Sequence, residues 1–350
     1  MSCIKVSSQA KYLSLLIRTV LAVAVAFFTG ELTVRVAGLS KTWNGKQEEQ
    51  LHARIIEKHY SKEAIGFRYL PSSNFISIRD KTYVINQAGF RDLEFKLKKV
   101  NPRIAFIGDS VIEGLGVDAK DRATNRARAA LAATLKKKVD IYNFGVGAFS
   151  TYDELAVLEN HVVSYKPDYA VLQICFNDLQ RNYDIAHFEG DTVSKPDVSQ
   201  PSLKAFFQKH SAFYLFLAEK YDYQRLRNGS PNSLLDNVII ERDEQWMLLS
   251  QLIARFRDVC QDSGIHPIIM YIPLEPEVLV NDAGLGTITS SRIESICKEL
   301  KIANINSTQA LRMQESPGEL YNDHYHLSEN GHAVVADCIV AFFKRRLGGG

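Results

Sequence analysis

The feature that most constrains the fold is a regular alternation of short apolar strands with helical segments after residue 102. The strands are so apolar that both of their faces are expected to be buried, which is typical of a parallel sheet. Parallel strands need crossover connections, and helices in those connections cover the sheet. We therefore predict an α/β fold, a three-layer α/β/α sandwich with a central parallel sheet. The predicted strands are residues 103–108, 139–143, 168–175, 267–273 and 303–306.

The length of 350 residues allows one large domain with extensions. We expect a tail over residues 1–11, an apolar segment over 12–37, a connector with an N-terminal extension over 38–100, and the main domain over 101–347. Residues 179–237 interrupt the strand–helix rhythm and are interpreted as an insertion that caps the domain. The net charge of +2 argues against nucleic acid as a partner. None of the five cysteines forms a CxxC pair, so no zinc site is expected, and a disulfide cannot be selected.

The apolar segment over 12–37 has three interpretations. An uncleaved signal anchor requires Arg18 to reach the headgroups while the flanking apolar residues span the bilayer. A cleaved signal peptide lacks a clear A-x-A site, and a buried helix would be expected to show a polar face. We favour the membrane anchor. Lys5, Lys11 and Arg18 precede the longest apolar run, so the positive-inside rule places the N-terminus in the cytoplasm and the main domain outside.

Polar residues occur in four predicted loops beside this sheet. Ser110 follows the first strand in a Gly-Asp-Ser turn, residues 143–151 follow the second, and residues 176–178 follow the third. Residues 322–326 precede the last helix and include an Asp/His pair. Loops at the carboxyl edge of a parallel sheet converge, so a hydroxyl, a base, a carboxylate and amide donors can meet there. Those groups are the parts of a nucleophilic acyl-transfer site.

These residues resemble the SGNH or GDSL-type hydrolase family over about residues 103–346. Gly108-Asp109-Ser110 is similar to its first block, residues 143–148 to its second, residues 175–178 to its third, and Asp323-x-x-His326 to its last. The resemblance implies a flavodoxin-like sheet. Together with residues 86–91 and the apolar N-terminal segment, it also resembles a membrane-tethered subgroup associated with bacterial polysaccharides.

The resemblance implies a role for each matching residue. Ser110 would be the nucleophile, His326 the base, and Asp323 the carboxylate that orients the imidazole. The oxyanion hole would be formed by the Ser110 amide, an amide near Gly147 and Ala148, and the Asn177 side chain. No cofactor and no metal are implied.

Two positions depart from the family pattern, and two others have competing interpretations. The second-block glycine corresponds to Ala148, with Gly147 one residue earlier, so the amide donor is assigned to this pair only. The third block begins with Cys175 instead of glycine. His324 competes with His326 as the base and is interpreted as a loop residue. Glu113 is interpreted as a solvated turn residue. The cap aromatics pack the insertion or line an acyl pocket: Phe206, Phe207, Phe213, Tyr214 and Phe216.

The expected function is hydrolysis of an acyl ester, with O-acetyl groups on a cell-surface or secreted glycan as the substrate implied by analogy. The same residues would serve an O-acyltransferase that modifies a polysaccharide. A glycan-binding assembly protein without activity is the third hypothesis, and the presence of Ser110, Asp323 and His326 argues against it. The expected location is the bacterial inner membrane, with the main domain in the periplasm.

Overall fold

The structure is a computed structural model of the chain. It describes residues 3–41, 43–44, 46–47, 60–62, 67–175, 178–179, 182, 203–227, 243–279 and 285–348.

The N-terminal part consists of one long helix and two pairs of short strands. Helix α1 (Cys3–Val36) includes the predicted apolar segment, and residues of the predicted tail continue the same helix. Among the described residues, Ala10–Val36 is the one stretch long and apolar enough to cross a membrane, and it is not buried in the fold. Two antiparallel pairs follow: β1 (Tyr60–Lys62) with β2 (Phe67–Tyr69), and β3 (Asn74–Ile76) with β4 (Thr82–Val84).

An aromatic cluster attaches these strands to the main domain. Tyr69, Phe75 and Tyr83 are buried, and their ring centroids lie 5.1–6.1 Å apart. The guanidinium of Arg91 lies 3.7 Å from the ring centroid of Tyr83, in cation–π geometry. The N-terminal extension therefore packs as part of the domain core.

The central sheet has five parallel strands in the order β6-β5-β7-β8-β9. The first strand in the chain thus lies second in the sheet, as in flavodoxin-like folds. Every residue of β5 is buried, because helices cover both faces of the sheet. This agrees with the predicted parallel α/β/α sandwich. The strands are β5 (Arg103–Ile107), β6 (Asp140–Asn143), β7 (Tyr169–Ile174), β8 (His266–Tyr271) and β9 (Ala303–Asn306).

Ten further helices follow α1 in the described part of the chain. They are α2 (Ser110–Glu113), α3 (Ala123–Leu135), α4 (Thr151–Asn160), α5 (Leu203–His210), α6 (Ala212–Arg227), α7 (Asp243–Asp262), α8 (Glu275–Leu279), α9 (Leu285–Glu299), α10 (Thr308–Arg312) and α11 (Glu329–Leu347). Short 3-10 turns span Ile78–Asp80, Ala119–Asp121, Val162–Tyr165 and Pro317–Leu320.

The direction of the crossovers distributes these helices over the sheet. The connection from β5 to β6 moves one way along the sheet, and those from β6 to β9 move the other way. Right-handed crossovers in opposite directions place their helices on opposite faces. Helix α3 packs against α11 on one face, and α4 packs against α7 on the other. The loops that end β5 and β6 consequently open at the same edge.

Helix α4 begins one residue before the position that its sequence indicated. Thr151 and Glu154 fit a capping box, but the N-cap is Ser150 and its partner is Asp153. The Asp153 carboxylate accepts from the Ser150 backbone N–H at 2.9 Å. Thr151 instead faces inward, where its hydroxyl donates to Asp178 at 3.3 Å. Tertiary contacts therefore selected between two neighbouring capping patterns.

Two helices of the predicted cap insertion are described, α5 and α6. The helix predicted around residues 212–220 corresponds to α6, and α5 precedes it. Phe207 and Phe213 pack on Phe27 of α1, with ring centroids 5.7 and 5.9 Å away. These two aromatic side chains therefore pack the insertion against the N-terminal helix. Most of the remaining insertion lies outside the described residues.

Candidate active site

The turn after β5 presents Ser110 at the start of α2. Gly108 is needed because a Cβ there would lie 2.5 Å from the Gln173 side-chain oxygen. Asp109 is the N-cap, and its carboxylate accepts from the Val111 backbone N–H at 2.9 Å. This cap closes the turn and sets the direction of the serine. Ser110 is mostly buried, with 7% of its surface exposed.

A continuous chain of hydrogen bonds joins Ser110 to two side chains of the loop before α11. The Ser110 Oγ lies 2.9 Å from His326 Nε2. On the other side of the ring, His326 Nδ1 lies 2.9 and 3.0 Å from the two oxygens of Asp323. Asp323 Oδ1 also accepts the backbone N–H groups of Tyr325 and His326, each at 2.8 Å. The spacing of three residues lets one short turn hold both groups.

The charges of Asp323 and His326 favour each other. Burial raises the pKa of Asp323, but the nearby His326 and the hydrogen bonds from His326 and Tyr325 outweigh it, so the pKa is well below its usual value. Burial lowers the pKa of His326, and the Asp323 carboxylate more than offsets this, so the pKa is raised above 6.5. The carboxylate therefore stabilises the imidazolium that forms when His326 takes a proton.

Arg79 contacts this pair, and the sequence analysis missed it. Its Nη2 donates to Asp323 Oδ2 at 3.2 Å. Arg79 lies in the turn between β3 and β4 with a φ of 54°, a backbone conformation that side chains rarely adopt. A Cβ on Gly116 would lie 2.3 Å from Arg79 Nη1, so this glycine makes room for the guanidinium. No motif marks Arg79, because it is brought to the site by a segment that precedes the sheet.

The four predicted oxyanion donors have different environments. Within the described residues, the backbone N–H groups of Ser110 and Ala148 have no protein acceptor. Ala148 is exposed and has a φ of 69°, in the left-handed region. The Gly147 amide hydrogen-bonds to the Glu113 carboxylate, so it is not available as a donor to a ligand. Of the predicted pair, Ala148 is thus the one with an open amide. Asn177 lies outside the described residues.

Glu113 is fully buried, so its interpretation as a solvated turn residue was wrong. The Tyr69 hydroxyl hydrogen-bonds to its carboxylate. Burial raises the pKa of Glu113 to about 7, although Tyr69, the charges of Arg91 and Arg122, and the Gly147 amide act in the opposite direction. Glu113 therefore links the nucleophile helix to the loop that carries Ala148.

Two buried arginines brace the turn that follows Ser110. Arg91 donates to the carbonyl oxygens of Gly114 and Val117 at 2.7 and 2.8 Å. Arg122 hydrogen-bonds to the Arg91 carbonyl, and its Nη2 lies 3.2 Å from the buried Asp92 carboxylate. Residues 86–91, which resembled an upstream family motif, thus contribute Arg91 to the support of the nucleophile turn.

His324 does not contact Ser110 but belongs to a second polar cluster. Its Nδ1 lies 2.6 Å from Glu275 Oε2, and its Nε2 lies 3.8 Å from Glu219 Oε1. Burial lowers its pKa, but the two carboxylates dominate and raise it to about 9. His324 is therefore cationic at neutral pH and is tied to the cap helix α6. It is mostly buried, not a solvent-exposed loop residue.

One group of carboxylates among the described residues has the spacing of a cation site. Oxygens of Asp118, Asp121 and Glu329 lie within 4.8 Å of one another. The Lys81 ammonium lies 3.1 Å from Asp118 and 3.6 Å from Glu329. Lys81 supplies positive charge to this group, and we assign no metal to it.

Comparison with known proteins identifies the family. The model of the GDSL-like lipase/acylhydrolase family matches residues 106–334, more than half of the chain. The chain belongs to this family and is an ester hydrolase. No curated protein matches the sequence.

Three solved structures illustrate the similarity of fold. LAE5, an alpha/beta hydrolase from the metagenome of Lake Arreo, Spain, has 16% identity, covers 70% of this chain and 96% of its own, and gives a TM-score of 0.44. A variant of Axe2, an acetyl-xylooligosaccharide esterase from Geobacillus stearothermophilus, has 17% identity, coverages of 72% and 98%, and a TM-score of 0.44. A GDSL-like lipase from Bacteroides thetaiotaomicron has 14% identity, coverages of 70% and 89%, and a TM-score of 0.38.

Proposed function

We propose that this ester hydrolase is a serine esterase that uses Ser110, His326 and Asp323 as a catalytic triad. The observation that carries the proposal is the unbroken hydrogen-bond chain from Ser110 Oγ through both imidazole nitrogens to Asp323. A serine hydroxyl is a weak nucleophile unless a base removes its proton. His326 is placed to do so, and Asp323 holds the ring in the tautomer that leaves Nε2 free to accept.

The reaction has two steps. In the first, Ser110 Oγ attacks the ester carbonyl and transfers its proton to His326 Nε2. The bond to the alcohol then breaks, and His326 returns the proton to that alcohol. In the second step, His326 takes a proton from water, whose oxygen attacks the acyl group on Ser110. The acid leaves, and the proton returns to Ser110. Asp323 stays ionised throughout and stabilises the imidazolium.

The oxyanion of each tetrahedral intermediate forms beside the first turn of α2. We assign the Ser110 and Ala148 backbone N–H groups as its donors, and Asn177 as the third. One such donor stabilises the transition state by about 3 kcal/mol in other hydrolases. Glu113 holds the neighbouring Gly147 amide and so fixes the loop that presents Ala148.

The proposed location is the outer face of a bacterial inner membrane. Lys5, Lys11 and Arg18 lie on the N-terminal side of the longest apolar run, which favours a cytoplasmic N-terminus and a periplasmic domain. O-acetyl groups on a cell-surface or secreted glycan are the proposed substrate class. A glycan in this compartment can reach an anchored esterase without crossing the membrane.

Hydrolysis of a short-chain aryl ester by the full chain in detergent tests the mechanism. Ser110→Ala is expected to lower kcat/KM by at least about a thousandfold, because it removes the nucleophile. The exposed Ser263→Ala is the matched control and is expected to retain the wild-type rate. Equal activity of wild type and Ser110→Ala would contradict the proposal.

The acetylated glycan tests the substrate and the direction of transfer. Release of free acetate is the expected result. Formation of acetylated glycan from a donor ester, without release of acetate, would instead assign the protein as an O-acyltransferase.

A further inference from the structure

The end of α1 is packed against the cap and does not act as a loose tether. Phe27 contacts both Phe207 and Phe213 of the cap helices. Gly30 permits this close approach, because a Cβ there would lie 3.0 Å from the Phe213 ring. Val34 is buried, with 4% of its surface exposed. The apolar helix and the cap therefore form one packed unit over the last turns of α1.

Polar contacts lock the same interface. The Glu31 carboxylate accepts from the Ser211 hydroxyl at 2.7 Å and from the backbone N–H groups of Ala212 and Phe213 at 2.9 and 3.0 Å. It thereby caps the N-terminus of α6 from another helix. Arg35 donates to Glu31 at 2.6 Å and to the His210 carbonyl oxygen at 2.8 Å. These contacts fix the angle between α1 and the cap.

A second set of contacts, the clamp, continues from α1 to the catalytic loop. It consists of Ser40, Lys41, Glu219, Glu275 and His324. Ser40 Oγ donates to Glu219 Oε1 at 2.7 Å, and the Lys41 ammonium pairs with Glu275. Glu275 in turn holds His324, which is the residue after Asp323. Only five residues separate Val36 from Lys41, a reach of at most about 18 Å.

The cap exposes apolar side chains near α1. Leu203 and Phe206 of α5 are 74% and 56% exposed, and Leu217 of α6 is 50% exposed. Leu203 and Phe206 are three residues apart and so lie on one helix face. We call these three side chains the cap surface. Their neighbour Phe207 contacts Phe27, which lies nine residues before the end of the candidate span at Val36.

This position decides what covers the cap surface. Nine helical residues correspond to about 13 Å, so Phe27 lies well inside the candidate span. A membrane crossed by α1 at Phe27 also reaches the cap helix that contacts Phe27. Apolar side chains on a helix at that depth are stabilised by insertion into the boundary between headgroups and acyl chains. The exposed Lys209 of α5 suits anionic headgroups.

We infer that the cap surface lies in the membrane that α1 crosses, and that the clamp thereby holds the active site at the membrane surface. The inference rests on the proposed function and narrows its substrate. The substrate class is an acyl ester carried by a membrane-bound molecule, such as a lipid-linked glycan. The clamp adds a direct connection from the anchor to the turn that carries Asp323 and His326.

Lipid-quenching fluorescence tests the position of the cap surface. The full chain, with Cys3 and Cys338 replaced by serine, is reconstituted into phosphatidylcholine–phosphatidylglycerol vesicles that contain a doxyl-labelled lipid. A bimane label at Phe206→Cys is expected to be quenched. The same label at Met313→Cys, which is also 74% exposed but lies in α10, is the control and is expected to stay bright. Equal brightness at the two positions would overturn the inference, as would label contact between copies without lipid quenching.

Substrate presentation tests the functional part. Wild type and the double variant Leu203→Ser, Phe206→Ser are compared on a water-soluble aryl ester and on the same ester attached to a lipid in vesicles. The double variant is expected to lose about tenfold in rate on the lipid-borne ester and to stay within about twofold on the soluble ester. Equal loss on both esters, or loss on neither, would contradict the inference. If Ser110→Ala leaves soluble-ester hydrolysis intact, the proposed function fails, whereas the quenching result still reports the position of the cap.

Discussion

Asp323 makes more hydrogen bonds than its role as a partner of His326 requires. It accepts from two backbone N–H groups, from the imidazole and from Arg79. The backbone contacts fix the orientation of the carboxylate before the imidazole binds. Asp323→Asn is expected to lower kcat by at least about a hundredfold, because an amide favours the wrong tautomer of His326. Steady-state kinetics check this, and a variant with near-normal kcat would exclude Asp323 from the triad.

Arg79 is expected to set the lower end of the pH profile. Asp323 and Asp109 raise the pKa of His326, whereas burial and the charge of Arg79 lower it. His326 acts as a base only when neutral, so activity rises with pH through its pKa. Arg79→Met removes a repelling charge and is expected to shift this rise in kcat/KM to higher pH. Arg79→Lys keeps the charge and is expected to stay close to wild type. Identical profiles for all three proteins would contradict this role.

Ala148 stands where the left-handed backbone suits glycine. Ala148→Gly is expected to raise the free energy of unfolding by up to about 1 kcal/mol, because it relieves a φ of 69°. The amide remains, so esterase activity is expected to persist. Ala129→Gly, at an exposed position within α3, is the control and is expected to lower stability by about 1 kcal/mol. Denaturant titration checks both, and loss of stability in Ala148→Gly would contradict the prediction.

At the scale of elements, the clamp predicts a pH-dependent stability. The folded-state pKa of His324 is about 9, against a usual value of 6.5. A raised pKa means that its contribution is fully present below about pH 6.5 and is lost as the pH rises through about 9. The unfolding temperature of wild type is therefore expected to fall across this window more than that of His324→Gln. His326 contributes with the same sign in both proteins and cancels in the comparison. Parallel pH curves would contradict the clamp.

The elements around Ser110 also show what local patterns could not decide. Ser150 and Thr151 both precede an acidic residue by three positions, and only the contact between Thr151 and Asp178 shows which one caps α4. Glu113 is charged and lies in a glycine-rich turn, so its sequence favoured solvent. Its burial depends on Tyr69, which lies in a strand 44 residues earlier.

At the scale of the whole molecule, periodicity predicted the main domain well. The strand–helix alternation required a parallel sheet, and such a sheet brings the loops of Ser110 and His326 to one edge. The position of α1 could not be predicted in the same way. Its packing depends on Glu31, Gly30 and Phe27 meeting residues about 180 positions later, and no local pattern records such a meeting. Arg79 was missed for the same reason.

The central claim is that Ser110 carries the acyl group during turnover. Full-length protein mixed with a short-chain aryl ester, quenched in acid and analysed by peptide mass spectrometry tests it directly. The account predicts an acyl adduct on the peptide that contains Ser110, absent in Ser110→Ala and retained in Ser263→Ala. Turnover without an adduct on Ser110, or an adduct on another residue that persists in Ser110→Ala, would contradict it.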